Sequence, residues 1–202
     1  MYKIPDKPAL LLLEDGRVFY GKAAGAIGTT TGNIVFHTGM TGHQKTFSDP
    51  ANKGLILVMA TTHVGNTGIK QDDLESGRIS LEGLVVKSFS DYDNRSNGGI
   101  SLNSFLSQQN IVAIRDVDTR AVIRHIRDHG SMKAVISSEE TNPERLKSLL
   151  DNHEEMDVFA DVYNDSDIHK EDSNGFKIAI VNSEVKKSLL DQLTNRNCTL
   201  KT

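Results

Sequence analysis

Two apolar-rich runs, Ala9 to Glu14 and Arg17 to Lys22, meet at Asp15-Gly16, and this junction constrains the chain more than any other feature. Asp-Gly accepts the positive φ angles of a tight turn, so the runs predict a β-hairpin at the start of the fold. A hairpin needs a sheet to join, and three later stretches offer one: Asn33 to Thr38, Leu55 to Thr61 and Ile79 to Lys87. The middle stretch is apolar from Leu55 to Ala60, which predicts a strand buried on both faces. Gly39, Gly42, Gly65 and Gly68 mark the connections between them.

After Tyr92 the pattern changes. Asn94 to Gly99 reads as a polar loop, and Ser101 as an N-cap for a helix carrying Leu102, Phe105 and Leu106 at helical spacing. A short strand, Ile111 to Ile114, follows. Asp118 to His129 has Val122, Ile123 and Ile126 on one face, with Gly130 placed to close the helix in a left-handed cap. Met132 to Ser137 returns as a strand, and Asn142-Pro143 starts a helix with Leu146, Leu149 and Leu150 as its buried stripe. Strands that give way to alternating strands and helices predict a layered α/β domain over residues 1–156. Residues 157–175 are rich in aspartate, asparagine and serine and read as a linker. Lys177 to Asn182 then predicts a strand, and Glu184 to Asn195 a helix with Val185, Leu189, Leu190 and Leu193 on one side. A parallel sheet needs several such units, so residues 176–202 read as the truncated start of a second domain.

Charge excludes some roles. The chain has 202 residues, 23 basic against 27 acidic side chains and a net charge of −4, with no lysine or arginine block. That pattern offers no footprint for nucleic acid or for an acidic membrane. The apolar run Ala9 to Leu13 is too short for a signal-peptide core or a bilayer span, and a single cysteine, Cys198, forms no internal disulfide. A cytoplasmic location is the expectation. Glycines 21, 25 and 28 lack the lysine and hydroxyl of a phosphate-binding loop. His125 and His129 are four apart on a helix but have no third ligand, and read as a solvated face. Arg120, Arg124 and Arg127 form a basic stripe, suited to carboxylates on a partner or to plain solvent. His63 and Asn66 read as loop-bonding residues, with shaping the approach to a binding site as the other reading.

Five segments occur in order: Thr31-Gly32-Asn33, Met40-Thr41-Gly42-His43-Gln44, Ser48-Asp49-Pro50, His63-Val64-Gly65-Asn66 and Asp116-Val117-Asp118-Thr119-Arg120. With Glu75-Ser76, Gly83-Leu84-Val85-Val86 and Arg124-His125-Ile126-Arg127, they make the chain resemble the small subunit of glutamine-hydrolysing carbamoyl-phosphate synthase. The resemblance implies a layered β/β/α domain of swivelling type that docks on a large subunit, followed by the first strand and helix of a class I glutamine amidotransferase domain. In the family that second domain hydrolyses L-glutamine, and ammonia travels to the large subunit. There it meets carboxyphosphate made from bicarbonate and ATP. A closed path keeps the amine neutral and nucleophilic. The resemblance implies no cofactor in this chain, with ATP and its metal ion on the large subunit. It also implies that the cysteine, histidine and glutamate of the glutaminase lie beyond these residues. Cys198 follows a helix instead of sitting on a strained turn, so it reads as packing and not as the nucleophile.

One position is carried over as a glutamine contact: the family's serine there is Ala51 in this chain. Loss of the hydroxyl would weaken such a contact by roughly 0.5 to 1.5 kcal/mol. Asn33, His37, His43, Lys45 and Asn52 also depart from the residues usual in the family, as does Val181-Asn182-Ser183-Glu184. A divergent working subunit fits these departures, and so does a degenerate or truncated copy acting as a non-catalytic interaction module.

Overall fold

The computed structural model describes residues 6–70, 73–76, 78–90, 100–152, 175–181 and 185–201. The predicted loop Asn94 to Gly99, and all but the last residue of the predicted linker, lie outside them.

The hairpin forms as expected. Strand β1 (Pro8–Leu13) pairs antiparallel with β2 (Val18–Gly25), and Gly16 takes a φ of 89° in the turn between them. Strand β3 (Thr29–His37) begins four residues earlier than Asn33 and runs parallel to β4 (Leu55–Met59), with Ile34 opposite Ile56. Gly32 sits where the chains crowd, since a β-carbon there would lie 2.6 Å from the Gly54 carbonyl oxygen. Only glycine allows that approach without displacing backbone.

The predicted strand Ile79 to Lys87 contracts to β6 (Gly83–Val85), which pairs with β4 on one side and with β8 (Val112–Arg115) on the other, both in parallel. Ile79 and Leu81 are buried all the same, in the approach to the strand. Strand β9 (Met132–Ser137) closes the circuit by pairing antiparallel with both β1 and β3. The sheet is therefore a closed barrel in the order β1-β2-β8-β6-β4-β3-β9. The α/β class holds, but the sheets that the resemblance implied as separate layers are joined at both edges. Two minor strands, β5 (His63–Val64) and β7 (Ser88–Phe89), pair in parallel beside the barrel.

Period-two alternation sorts the strand residues onto two faces. Leu11, Leu13, Ile34, Ile56, Val58, Val85, Ile114 and Ile136 share one cluster, the barrel interior. Leu57, Met59 and Leu84 point outward and are covered by Phe47 and by Leu102, Phe105 and Leu106 of helix α2 (Leu102–Gln108). Leu10 and Leu12 also point outward, under Leu146 and Leu150 of α4 (Pro143–Asp151). β1 and β4 are thus strands with two covered faces, as β4 was expected to be.

The helix caps follow the sequence. Ser101 accepts from the Ser104 N–H, Asp118 from the Ala121 N–H, and Asn142 from the Glu144 N–H at the start of α4. Helix α3 (Thr119–His129) puts Val122 and Ile126 into the barrel interior. Gly130 ends it with the positive φ, 90°, expected of a glycine cap, but its ψ of 173° lies outside the left-handed helical conformation. Leu149 departs from the expected stripe: its side chain is exposed on α4.

The C-terminal segment holds more than a strand and a helix. Strand β10 (Lys177–Ala179), helix α5 (Lys187–Thr194) and a second strand β11 (Thr199–Lys201) form a βαβ unit, with β10 and β11 parallel. Leu190, Cys198 and Leu200 make its small core, while Leu189, expected on the buried side, is exposed.

Candidate functional site

The segments between β3 and β6 converge beside the barrel. Gly42, in the left-handed conformation, opens the short helix α1 (His43–Phe47). That places Gln44 in the interior, where its amide donates to the Gly68 carbonyl at 3.1 Å and accepts from the Lys70 N–H at 2.9 Å. One side chain thus ties the two glycine-rich loops together. Ser48 uses its hydroxyl both ways, donating to the Gln44 carbonyl at 2.8 Å and accepting from the Glu75 N–H at 2.7 Å. The Ser76 hydroxyl completes the link by donating to the Ser48 carbonyl at 2.7 Å.

Two buried carboxylates stand on this framework. Asp49 and Glu75 are 7% and 6% exposed, and a buried charge needs partners. Asp49 caps the short 3-10 turn Pro50–Asn52, its Oδ1 accepting the Ala51 N–H at 3.2 Å. Its Oδ2 lies 2.8 Å from the Lys186 ammonium. Glu75 Oε1 accepts the Ser188 N–H, in the first turn of α5, at 2.8 Å. Carboxylates are favourable at a helix N-terminus, where backbone donors are otherwise unmet. The hydrogen bond and charge of Asp49, helped by Glu75, hold the Lys186 ammonium above the usual lysine value. The βαβ unit is clamped to the barrel at these two points.

Ala51 is exposed on the turn beside this clamp, with Lys45 also exposed and Asn52 donating its amide to the Thr46 carbonyl at 2.8 Å. His43 is half-buried, and its Nε2 lies 3.3 Å from the Gly39 carbonyl, which requires that nitrogen to donate. Burial, with a smaller push from His37, holds its pKa below the ordinary histidine value. His63 and Asn66 are exposed, and the loop hydrogen bonds expected of their side chains are not formed among the described residues. Asn33 stands apart from this group. It lines a groove of about 580 Å3 with Thr29, Thr30, Thr31, Lys53 and Glu82, and Ala51 does not reach it.

His125 is not solvated, as its place in a helix of charged residues implied. It is 7% exposed, under the hairpin turn. Its Nε2 meets Asp15 Oδ2, and its Nδ1 lies 3.1 Å from the Arg17 guanidinium. The His129 ring stacks on it at 4.2 Å between centroids. Burial pushes the Asp15 carboxyl up. The Arg17 N–H, the His125 bond and the charges of both histidines outweigh that push and hold it below the usual carboxylate range. No cluster of three metal-ligating side chains occurs among the described residues. Arg120, Arg124 and Arg127 form the expected exposed stripe, with Arg127 paired to Asp128 at 3.2 Å. Cys198 is buried and packs with Leu190 and Leu200, in keeping with the reading of it as packing.

The sequence segments flagged Gln44, Ser48, Asp49 and Glu75 but not what they do. Each role depends on a partner distant in the chain, 113 positions away for Glu75 and Ser188.

These elements define a mixed α/β protein: a closed barrel whose loops hold a C-terminal βαβ unit. The family profile described as carbamoyl-phosphate synthase small chain, CPSase domain, matches residues 11–136, and the chain belongs to that family. It is 46% identical over 138 residues to the carbamoyl phosphate synthase small chain of Syntrophotalea carbinolica, covering 68% of this chain and 37% of that one. The Streptomyces coelicolor small chain is 45% identical over 144 residues, covering 71% and 38%. The match to the Clostridium acetobutylicum small chain extends over 189 residues at 32% identity, covering 94% of this chain and 54% of that relative. The chain thus spans between about a third and about a half of the length of these relatives.

Proposed function

We propose that this chain is the large-subunit docking part of a glutamine-dependent carbamoyl-phosphate synthase small subunit. In the complete assembly an amidotransferase domain releases ammonia from L-glutamine. The large subunit combines it with bicarbonate, using ATP and its metal ion, to make carbamoyl phosphate for pyrimidine and arginine synthesis in the cytoplasm. The two clamps, Lys186 on Asp49 and the Ser188 N–H on Glu75, carry the reading. They fix the first helix of the following unit against residues that the family resemblance singles out. In this reading residues 1–156 dock, and residues 176–202 open the amidotransferase domain. That domain's sheet is the doubly wound kind that grows by βαβ units like the one seen here. Ala51 contributes only backbone to a glutamine site. No helix among the described residues is long and apolar enough to cross a membrane.

The second reading, a non-catalytic interaction module, draws on one observation: the exposed side chain at position 51 is a methyl and donates nothing to a ligand. A pull-down with a large subunit, followed by assay of carbamoyl phosphate formation from ammonia and then from glutamine, separates the two. Binding with ammonia-dependent synthesis is the expected result for a docking part. Binding without any effect on synthesis favours the module. Failure to bind at low salt overturns the subunit reading.

A further inference from the structure

One carboxylate stands at the junction of the two parts of the molecule. Asp49 spends Oδ1 on the Ala51 N–H and Oδ2 on Lys186, and is 7% exposed. Water therefore has little access to the carboxylate, although the Lys186 side chain is 58% exposed. We propose that Asp49 is a positioning residue that transmits docking of the C-terminal βαβ unit to the turn at Ala51, with Lys186 as the remote determinant of that turn's conformation.

The argument is one of satisfied valence. A buried carboxylate that loses its cation keeps its charge and must find another donor. Rotation toward solvent is the available response, and it removes Oδ1 from the Ala51 N–H. The second clamp acts on the same backbone. Glu75 is anchored by its N–H to the Ser48 hydroxyl, one residue before Asp49, while its carboxylate holds Ser188. The turn is thus set from both sides only while α5 is in place. A bearing on glutamine rests on the function proposed above; the coupling itself does not.

The test uses the 202-residue chain, labelled with nitrogen-15, and reads backbone amides by NMR. In Lys186→Met the Ala51 amide resonance is expected to shift, and its exchange with solvent to quicken by about threefold or more, as expected when a local hydrogen bond is released. Amides of the barrel interior, such as Leu11 and Ile136, stay as they were. Lys186→Arg keeps the charge and is expected to restore the Ala51 signal. A purely structural role for the lysine stem gives no such rescue. The proposal is overturned if Lys186→Met changes the Ser188 amide and leaves Ala51 unmoved, or if the arginine variant behaves like methionine. Because the readout is an amide and not turnover, failure to bind a large subunit leaves this result standing, and the reverse also holds.

Discussion

The barrel and the βαβ unit use the same kinds of residue in opposite circumstances. In β4 every residue from Ile56 to Met59 is buried, because alternate side chains find the barrel interior or the α2 layer. In the C-terminal unit Phe176 and Val181 are 81% and 90% exposed, and β10 pairs only with β11 among the described residues. A two-stranded sheet is marginal alone, whereas a closed one has no free edge to satisfy. Closure makes one region self-sufficient, and lack of it makes the other depend on Asp49 and Glu75.

The sharpest way to break that contrast is inside the barrel. Leu11→Ala leaves a cavity at a fully buried position, and is expected to lower the urea-unfolding stability of the barrel by about 2 to 5 kcal/mol. A smaller loss than about 1 kcal/mol would mean the interior collapses easily around the gap and is less tightly packed than it looks. Gly32→Ala puts a methyl against the Gly54 carbonyl across the β3–β4 seam. Its expected cost is about 1 to 3 kcal/mol in the same measurement, and an unchanged midpoint would show that the seam can open to admit it.

Glu75→Ala acts on the other region. It removes the acceptor for the Ser188 N–H, a loss of about 1 kcal/mol local to α5, to be read as faster hydrogen exchange from Leu189 to Leu193. Equal loss of protection in the barrel would erase the distinction drawn here. The smallest effect belongs to the hairpin. The Asp15 carboxyl is held below its ordinary value, so its contribution is complete above the usual carboxylate range and fades as pH falls through the lowered value. Because that side chain is 38% exposed, the contribution is under about 1 kcal/mol. Denaturation at stepwise lower pH should therefore show a slightly steeper loss in the parent than in Asp15→Asn, and coincident curves would dismiss the pair.

Local chemistry explains what the sequence made legible. Asp15-Gly16, Ser101, Asp118 and Asn142 each do their work within a few residues, so the hairpin and three helix starts could be placed from neighbours alone. Barrel closure could not, because β9 meets β1 across more than a hundred residues and no pattern of alternation encodes that meeting. His125 is the instructive failure. Arginines and an aspartate flank its helix, but the ring points at Asp15 and Arg17, which the turn brings over it. Likewise Leu149 fits the stripe of α4 by period, but the narrow outer face of β1 and β9 takes only Leu146 and Leu150. The family segments include Asp49, and only the fold paired it with Lys186.

The double pairing of β9 also bears on how the protein is made. Residues 8–13 are synthesised early, but one of their two neighbours, residues 132–137, is among the last parts of the barrel to appear. At ~5 to 20 residues per second, roughly 6 to 25 seconds separate the two. Until then the nascent leucines have one partner instead of two, and β3 waits for the same strand. Ribosome-bound chains ending before residue 137 should therefore present a sticky, chaperone-binding edge that vanishes once β9 clears the exit tunnel.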